Sequence, residues 1–282
     1  MRRLLMILFA CLLSISMQGQ RITHTYNNVS LSDALSQLAE QQTDYAIMFL
    51  YNELEDFRIT TTVSRKSLPD AIQQMIGFYP IRTIVDTSNP KEKKIFVECT
   101  HKTDRHLTGT IIDEQSVPVA YANVAILNPA DSTLLSGGVS NESGYFAIPY
   151  EQPTVLARIS YVGYKTVYRL CSQPEVGTIQ MQPDTYTLKN VVVKGKQNAL
   201  SVKDGAFLLN VSKTFLKDQP DIFSVLAFLP FVEASEGRVS VFGAGSTLYL
   251  VNGREVRSMA EIEALRPDLV KNSCGSVLGF CK

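Results

Sequence analysis

The side chains able to do chemistry are few and scattered. A hydrolytic zinc centre needs a His and Glu ligand set with a general base beside it. The chain has only three histidines, His24, His101 and His106, and none stands in an HExxH or HxxE context. Cys99, His101 and His106 are near one another in sequence, but their polar stretch offers no fourth ligand. Cys99, Cys171, Cys274 and Cys281 are spaced too widely to read as a disulfide framework. Glu53, Glu55 and Asp56 form an acidic cluster where a turn between strands is expected, a setting in which carboxylates are ordinarily solvated. No GxSxG elbow occurs, and Gly243-Ala244-Gly245 lacks the further glycine and lysine of a phosphate cradle. The expectation is a protein that is not an enzyme and holds no metal or cofactor.

One segment points to chemistry of another kind. Leu188 to Lys194 is a short β-prone stretch centred on Val191, Val192 and Val193. Such a stretch can donate and accept main-chain hydrogen bonds as an added strand beside a partner's sheet. Alternatively it is one more edge strand of the domain before it.

The rest of the chain must position these segments. It has 282 residues, enough for about two or three small domains. Lys plus Arg and Asp plus Glu each number 27, so the net charge is zero. A nucleic-acid binder would need a clustered basic surface to displace counterions, so no nucleic-acid partner is expected. Arg2 and Arg3 precede an apolar run, Leu4 to Ile15, and small and polar residues follow at 16–20. Residues 1–20 therefore read as a secretory signal peptide, too short in its apolar run to span a bilayer. Phe9 and the apolar residues after Cys11 speak against lipidation at that cysteine. Export is expected.

Residues 21–100 contain an internal repeat: SLSDALSQL from Ser30 aligns with SLPDAIQQM from Ser67 at an offset of 37. Each copy is a helix start, with Ser30 and Ser67 as N-caps and Asp33 and Asp70 at the positive helix end. Strands are expected at 22–29, 45–51, 58–63, 81–85 and 95–99, giving two βαβ-type halves and a last strand. The helix starts and paired strands resemble the secretin and TonB short N-terminal (STN) domain.

Residues 105–185 change character to short strands at 107–112, 119–127, 145–148, 155–161, 165–170 and 178–181, separated by turn signals that include Gly137-Gly138. This pattern predicts a β-sandwich. The strings LTGTIID, SNESGYFAI and ISYVGYKT resemble the carboxypeptidase-regulatory-like domain, which implies seven strands. That resemblance confers no peptidase chemistry.

Beyond it, Asp221 to Pro230 reads as a capped helix ended by proline. Strands at 238–242 and 246–251, an Asn252-Gly253 hairpin turn and a helix at 259–265 follow. The run Leu226 to Pro230, Ser240 to Gly243 and Leu250 to Gly253 resembles the start of the plug of TonB-dependent outer-membrane receptors. Phe231 stands where that family usually has glycine, and Phe242 where it usually has arginine.

The expected fold class is thus multidomain, α+β and all-β. It comprises a small βαββαβ STN module, a seven-stranded β-sandwich and a partial α/β plug at 198–271. The resemblance implies that 188–195 is a TonB box, that the TonB C-terminal domain is one partner, and that an inner-membrane anti-sigma regulator meets the STN module. A barrel of about 22 strands needs at least about 220 residues. The 11 residues after Lys271 cannot supply it, and 272–282 reads as an aberrant tail lacking the family's next strand. The expectation is the periplasmic front of a receptor for substrate uptake and signalling, reaching the outer membrane only if a barrel is supplied. In that reading Phe223, Phe228, Phe231 and Phe242 lack part of their cover. The alternative is a stand-alone soluble periplasmic interaction module.

Overall fold

A computed structural model describes residues 21–41, 45–89, 93–101, 103, 105–184, 199–203, 206–235, 237–241 and 247–275, without the side chains of 233, 235 and 272–275. The protein is mostly β, with 45% strand, few helices and several small sheets; no barrel closes among the described residues. The chain divides into two compact units. One holds residues up to Ile76 and Ile81–Glu98; the other holds Gly77–Pro80 and Cys99 onward.

In the first unit, β1 (Ile22–Ser30), α1 (Leu31–Gln41), β2 (Tyr45–Phe49), α2 (Tyr51–Leu54), β3 (Arg58–Lys66), α3 (Leu68–Ile76), β4 (Ile81–Asp86) and β5 (Lys93–Cys99) follow in order. The two βαβ halves do not pair within themselves. β1 pairs antiparallel with β3, from Ile22 opposite Lys66 to Ser30 opposite Arg58. β2 runs parallel to β5 in a second sheet, ordered β2-β5-β4. Antiparallel pairing puts the repeated helix starts at opposite ends of the β1-β3 ribbon. The caps form as the repeat predicts: Ser30 Oγ accepts from the Asp33 amide at 3.0 Å and Ser67 Oγ from the Asp70 amide at 3.4 Å, while Ser67 Oγ also donates to Asp70 Oδ2 at 2.5 Å. Leu31, Ala34, Leu35 and Leu38 of α1 and Leu68, Ala71, Ile72, Met75 and Ile76 of α3 are buried.

The strand expected to reach Tyr51 stops at Phe49, and α2 takes its place. Tyr51 is held there twice: its hydroxyl donates to Asp33 Oδ1 at 2.6 Å, and its carbonyl accepts from Ser32 Oγ at 2.7 Å. The helix delivers Leu54, and the turn after it Phe57, to the buried interior.

In the second unit, seven strands make a sandwich. They are β6 (His106–Ile112), β7 (Asn123–Leu127), β8 (Leu134–Val139), β9 (Tyr145–Pro149), β10 (Val155–Ser160), β11 (Val167–Cys171) and β12 (Glu175–Gln180). One sheet is ordered β11-β10-β7-β8 and the other β12-β6-β9. The pairings within both are antiparallel except β12 with β6, which is parallel. Leu107, Ile111, Val124, Ile126, Phe146, Ile148, Ala157 and Ile159 fill the space between them.

Gly137-Gly138, read from sequence as a turn, lies inside β8. Packing is close there: a Cβ on Gly138 would come within 2.5 Å of Ile148 Cδ1 and would have to push that side-chain tip aside.

After the sandwich come β13 (Leu200–Lys203), β14 (Ala206–Asn210), α4 (Ile222–Leu226), β15 (Val232–Ser235), β16 (Arg238–Val241), β17 (Leu250–Val251), β18 (Arg254–Glu255), α5 (Met259–Glu263) and β19 (Asn272–Gly275). Asp221 caps α4 as expected, its Oδ1 accepting from the Ser224 amide at 2.8 Å. Asn252 and Gly253, at φ 52° and 76°, join β17 to β18 as a two-residue hairpin turn. β13 and β14 have no counterpart in the sequence reading. The tail expected to be aberrant begins with a strand: Asn272–Gly275 pairs antiparallel with β14, Asn272 opposite Asn210. Residues 276–282 and Phe242 lie outside the described residues. Phe223 and Phe231, expected to lack cover, are buried. Their cluster contains Phe207, Leu209, Val225 and Leu229, and it includes Val139 and Val162 of the sandwich.

Gly144 tests the sandwich. Its φ is +75°, and an added Cβ would run into the Ile111 carbonyl. A left-handed backbone costs a non-glycine residue about 1–2 kcal/mol before any clash. Gly144→Ala should therefore lower stability by at least about 2 kcal/mol in denaturant unfolding. A loss under about 0.5 kcal/mol would contradict this geometry.

Candidate interaction surfaces

The three family strings turn out to do structural work. Asp113, which ends LTGTIID, is buried; its Oδ1 accepts from the amides of Gln115 and Val117, each at 2.9 Å. Asn141 of SNESGYFAI accepts from the Ser143 and Tyr145 amides, each at 3.0 Å, and from Ser143 Oγ at 2.8 Å. These are side-chain-built turns that set strand register. In ISYVGYKT, Gly163 takes φ +85° and its carbonyl accepts from the Asp184 amide at 2.9 Å. Tyr161 is mostly buried, and burial raises its phenol pKa. Tyr121 is pushed up to about 12, chiefly by burial and then by the Glu142 carboxylate, whose Oε1 accepts from its hydroxyl at 3.2 Å. Both phenols thus stay protonated at neutral pH, which suits packing and hydrogen donation.

The residues weighed as metal ligands are placed as strand residues. Cys99 ends β5 and is buried; His106 opens β6 and is buried; His101 lies between them. Among the described residues, no group of three His, Cys, Asp or Glu side chains gathers as a metal site. Glu53 lies on α2, and Glu55 and Asp56 in the turn after it. Val191, Val192 and Val193 lie outside the described residues.

Sequence reasoning missed the open face of the β2-β5-β4 sheet. Met48 stands opposite Phe96 in the parallel β2-β5 register. Ile95 and Val97, which alternate with Phe96, are buried on the other side. Arg82 bridges Glu98 at 2.8 Å, which places these two on the Phe96 face, and Ile84 follows Arg82 by two. Met48, Phe96 and Ile84 thus form an apolar row across three strands, with exposures of 46%, 37% and 46%. Leu50, 65% exposed, extends it beyond the end of β2. The signal was present: Tyr45–Phe49 contains no polar residue, whereas a strand with one wet face should alternate. A contiguous exposed apolar row on a small sheet marks an interaction surface.

The chain is therefore a multidomain β protein whose described features include side-chain-built turns, buried cores and an apolar row open across three strands. Residues 107–193 match the CarboxypepD_reg-like domain family, so the sandwich and the segment through Val193 are similar to it. No curated protein matches the chain. Among solved structures, a 9R-lipoxygenase from Cyanothece PCC8801 is 16% identical over 44% of this chain and 21% of its own, with a TM-score of 0.24. A C-terminal fragment of the pilus adhesin SpaC from Lactobacillus rhamnosus GG is 11% identical over 38% of this chain and 59% of its own, with a TM-score of 0.16. The chain thus spans about a fifth of the lipoxygenase and less than two thirds of the adhesin fragment. Likenesses this slight fix neither fold nor activity.

The open face makes a prediction about stability. Ile84→Ser removes a side chain that is already half wet and should cost under about 1 kcal/mol. Ile95→Ser, on the buried side of the same sheet, should cost about 3 kcal/mol or more. Equal losses in denaturant unfolding would mean that the Met48-Phe96-Ile84 face is covered.

Proposed function

We propose that this chain is the periplasmic N-terminal region of a TonB-dependent outer-membrane receptor, acting by protein–protein contact and not by catalysis. The observation that carries the reading is the CarboxypepD_reg-like match at 107–193, a domain typical of the N-termini of such receptors. The exported location, the STN character of residues 21–100 and the plug character of the segment after 198 belong to the same proposal. They rest on the signal-peptide pattern, the repeated helix starts and the Leu226–Gly253 strings. In this reading the Met48-Phe96-Ile84 face meets the periplasmic domain of an inner-membrane anti-sigma regulator, and Val191 to Val193 add as a strand to the TonB C-terminal domain.

Capture experiments with the two partners test both contacts. Strand addition gains its affinity from main-chain hydrogen bonds, so Val192→Pro should weaken capture by the TonB C-terminal domain at least tenfold, with Val192→Thr nearly neutral. Paired Met48→Ser and Ile84→Ser changes should abolish capture by the regulator domain while leaving TonB capture intact. Wild-type levels of capture in both variants would remove the proposed contacts.

A further inference from the structure

Phe231 follows Pro230 directly, between α4 and β15, and its φ is 62°. In the left-handed region a side chain's Cβ crowds its own carbonyl, so glycine is the residue that fits without strain. A bulky aromatic persists there only where its surroundings over-determine it. Those surroundings belong to two modules. The Phe231 ring centroid lies 6.2 Å from that of Phe207 on β14, and Phe207 lies 5.8 Å from Tyr121 of the sandwich. On the sandwich side the ring comes up to Gly138: a Cβ built there would stand 4.0 Å from Phe231 Cε1, in ordinary van der Waals contact. Val139 and Val162 of the sandwich belong to the same buried cluster. Phe231 itself is only 9% exposed.

We propose that Phe231 is a strained latch. Its ring fastens residues 199–275 to the end of the sandwich formed by Tyr121, Gly138, Val139 and Val162, and its left-handed backbone keeps that fastening releasable. Burial of the ring favours the docked state. Relaxation of φ favours release, because a freed chain returns Phe231 to the ordinary right-handed or extended regions. The two terms oppose each other at Phe231, and Tyr121 on the sandwich side carries the same left-handed backbone at φ 62°; opposed terms of this kind are how a packed joint becomes bistable. Docking also covers Phe207, which pairs with Phe231 and Tyr121. The sandwich is then a clamp on the segment after it and not a passive spacer.

Hydrogen–deuterium exchange on the full chain tests both halves. Phe231→Gly removes the ring but keeps the backbone comfortable. Amides of Ala206–Asn210 and Val232–Ser235 should then exchange at least tenfold faster than in the wild type, while those of β7 and β10 hold their rates. Phe231→Ala removes the same ring and retains the left-handed cost, so the same amides should exchange several-fold faster again. Unchanged exchange at 206–210 in Phe231→Gly would overturn the latch. Equal acceleration in β7 and β10 would make the ring an ordinary core side chain of one cooperative unit and overturn it too. Equal rates in the glycine and alanine variants would remove the strain.

Discussion

A sheet of two, three or four strands cannot leave both faces in water and stay folded, and the described sheets of this chain are all of that size. Each must therefore find a cover. In the first unit the helices α1 and α3, launched from the ends of the paired β1 and β3, supply buried stripes from Leu31 to Leu38 and from Leu68 to Ile76. In the sandwich the two sheets cover one another, and the fit is close enough that a Cβ at Gly138 would have to displace the end of the Ile148 side chain. The β13-β14-β19 sheet has no layer of its own size. It shares a cluster with α4, α5 and the Val139 and Val162 end of the sandwich. Among the described residues the β2-β5-β4 sheet keeps an apolar row open across all three of its strands, and an uncovered apolar face is where a partner has something to gain.

The parts of the fold legible in sequence were those written in local chemistry. The Ser-x-x-Asp starts named both long helices, Asp221 named the cap of α4, and Asn252-Gly253 named a hairpin. Six of the seven sandwich strands were legible as short strand-prone runs between turn signals. The seventh was hidden because two glycines usually punctuate a chain, and only the approach of Ile148 shows why they sit within β8. α2 was hidden because Tyr51 is strand-prone by type, and its place is decided by Ser32 and Asp33 some eighteen residues earlier. β19 was hidden because Asn272-Ser273-Cys274-Gly275 has no strand propensity of its own; it is a strand because β14 offers an edge.

The open face was half legible. The apolar run at Tyr45–Phe49 announced a strand without a polar side, but a run of that kind reads equally as a strand buried on both faces. What separates the two readings is whether another element lies over Met48, Phe96 and Ile84, and among the described residues all three are exposed. No local pattern carries that information, because cover is a property of the whole topology.

The recognisable strings of the sandwich teach a related point about inferring function from motifs. Asp113 and Asn141 are polar, oriented and well bonded, which is how a catalytic group also looks. The Oδ1 atoms of both, however, accept from backbone amides two to four residues further along their own turns. A carboxylate or amide oxygen occupied in that way has little capacity left for a substrate, and the turn it builds fixes the strands on either side. Asp113 and Asn141 thus hold the register of this domain. For the proposed contacts, specificity would come from the shape of main-chain edges and apolar side chains and from which strand or face is left uncovered.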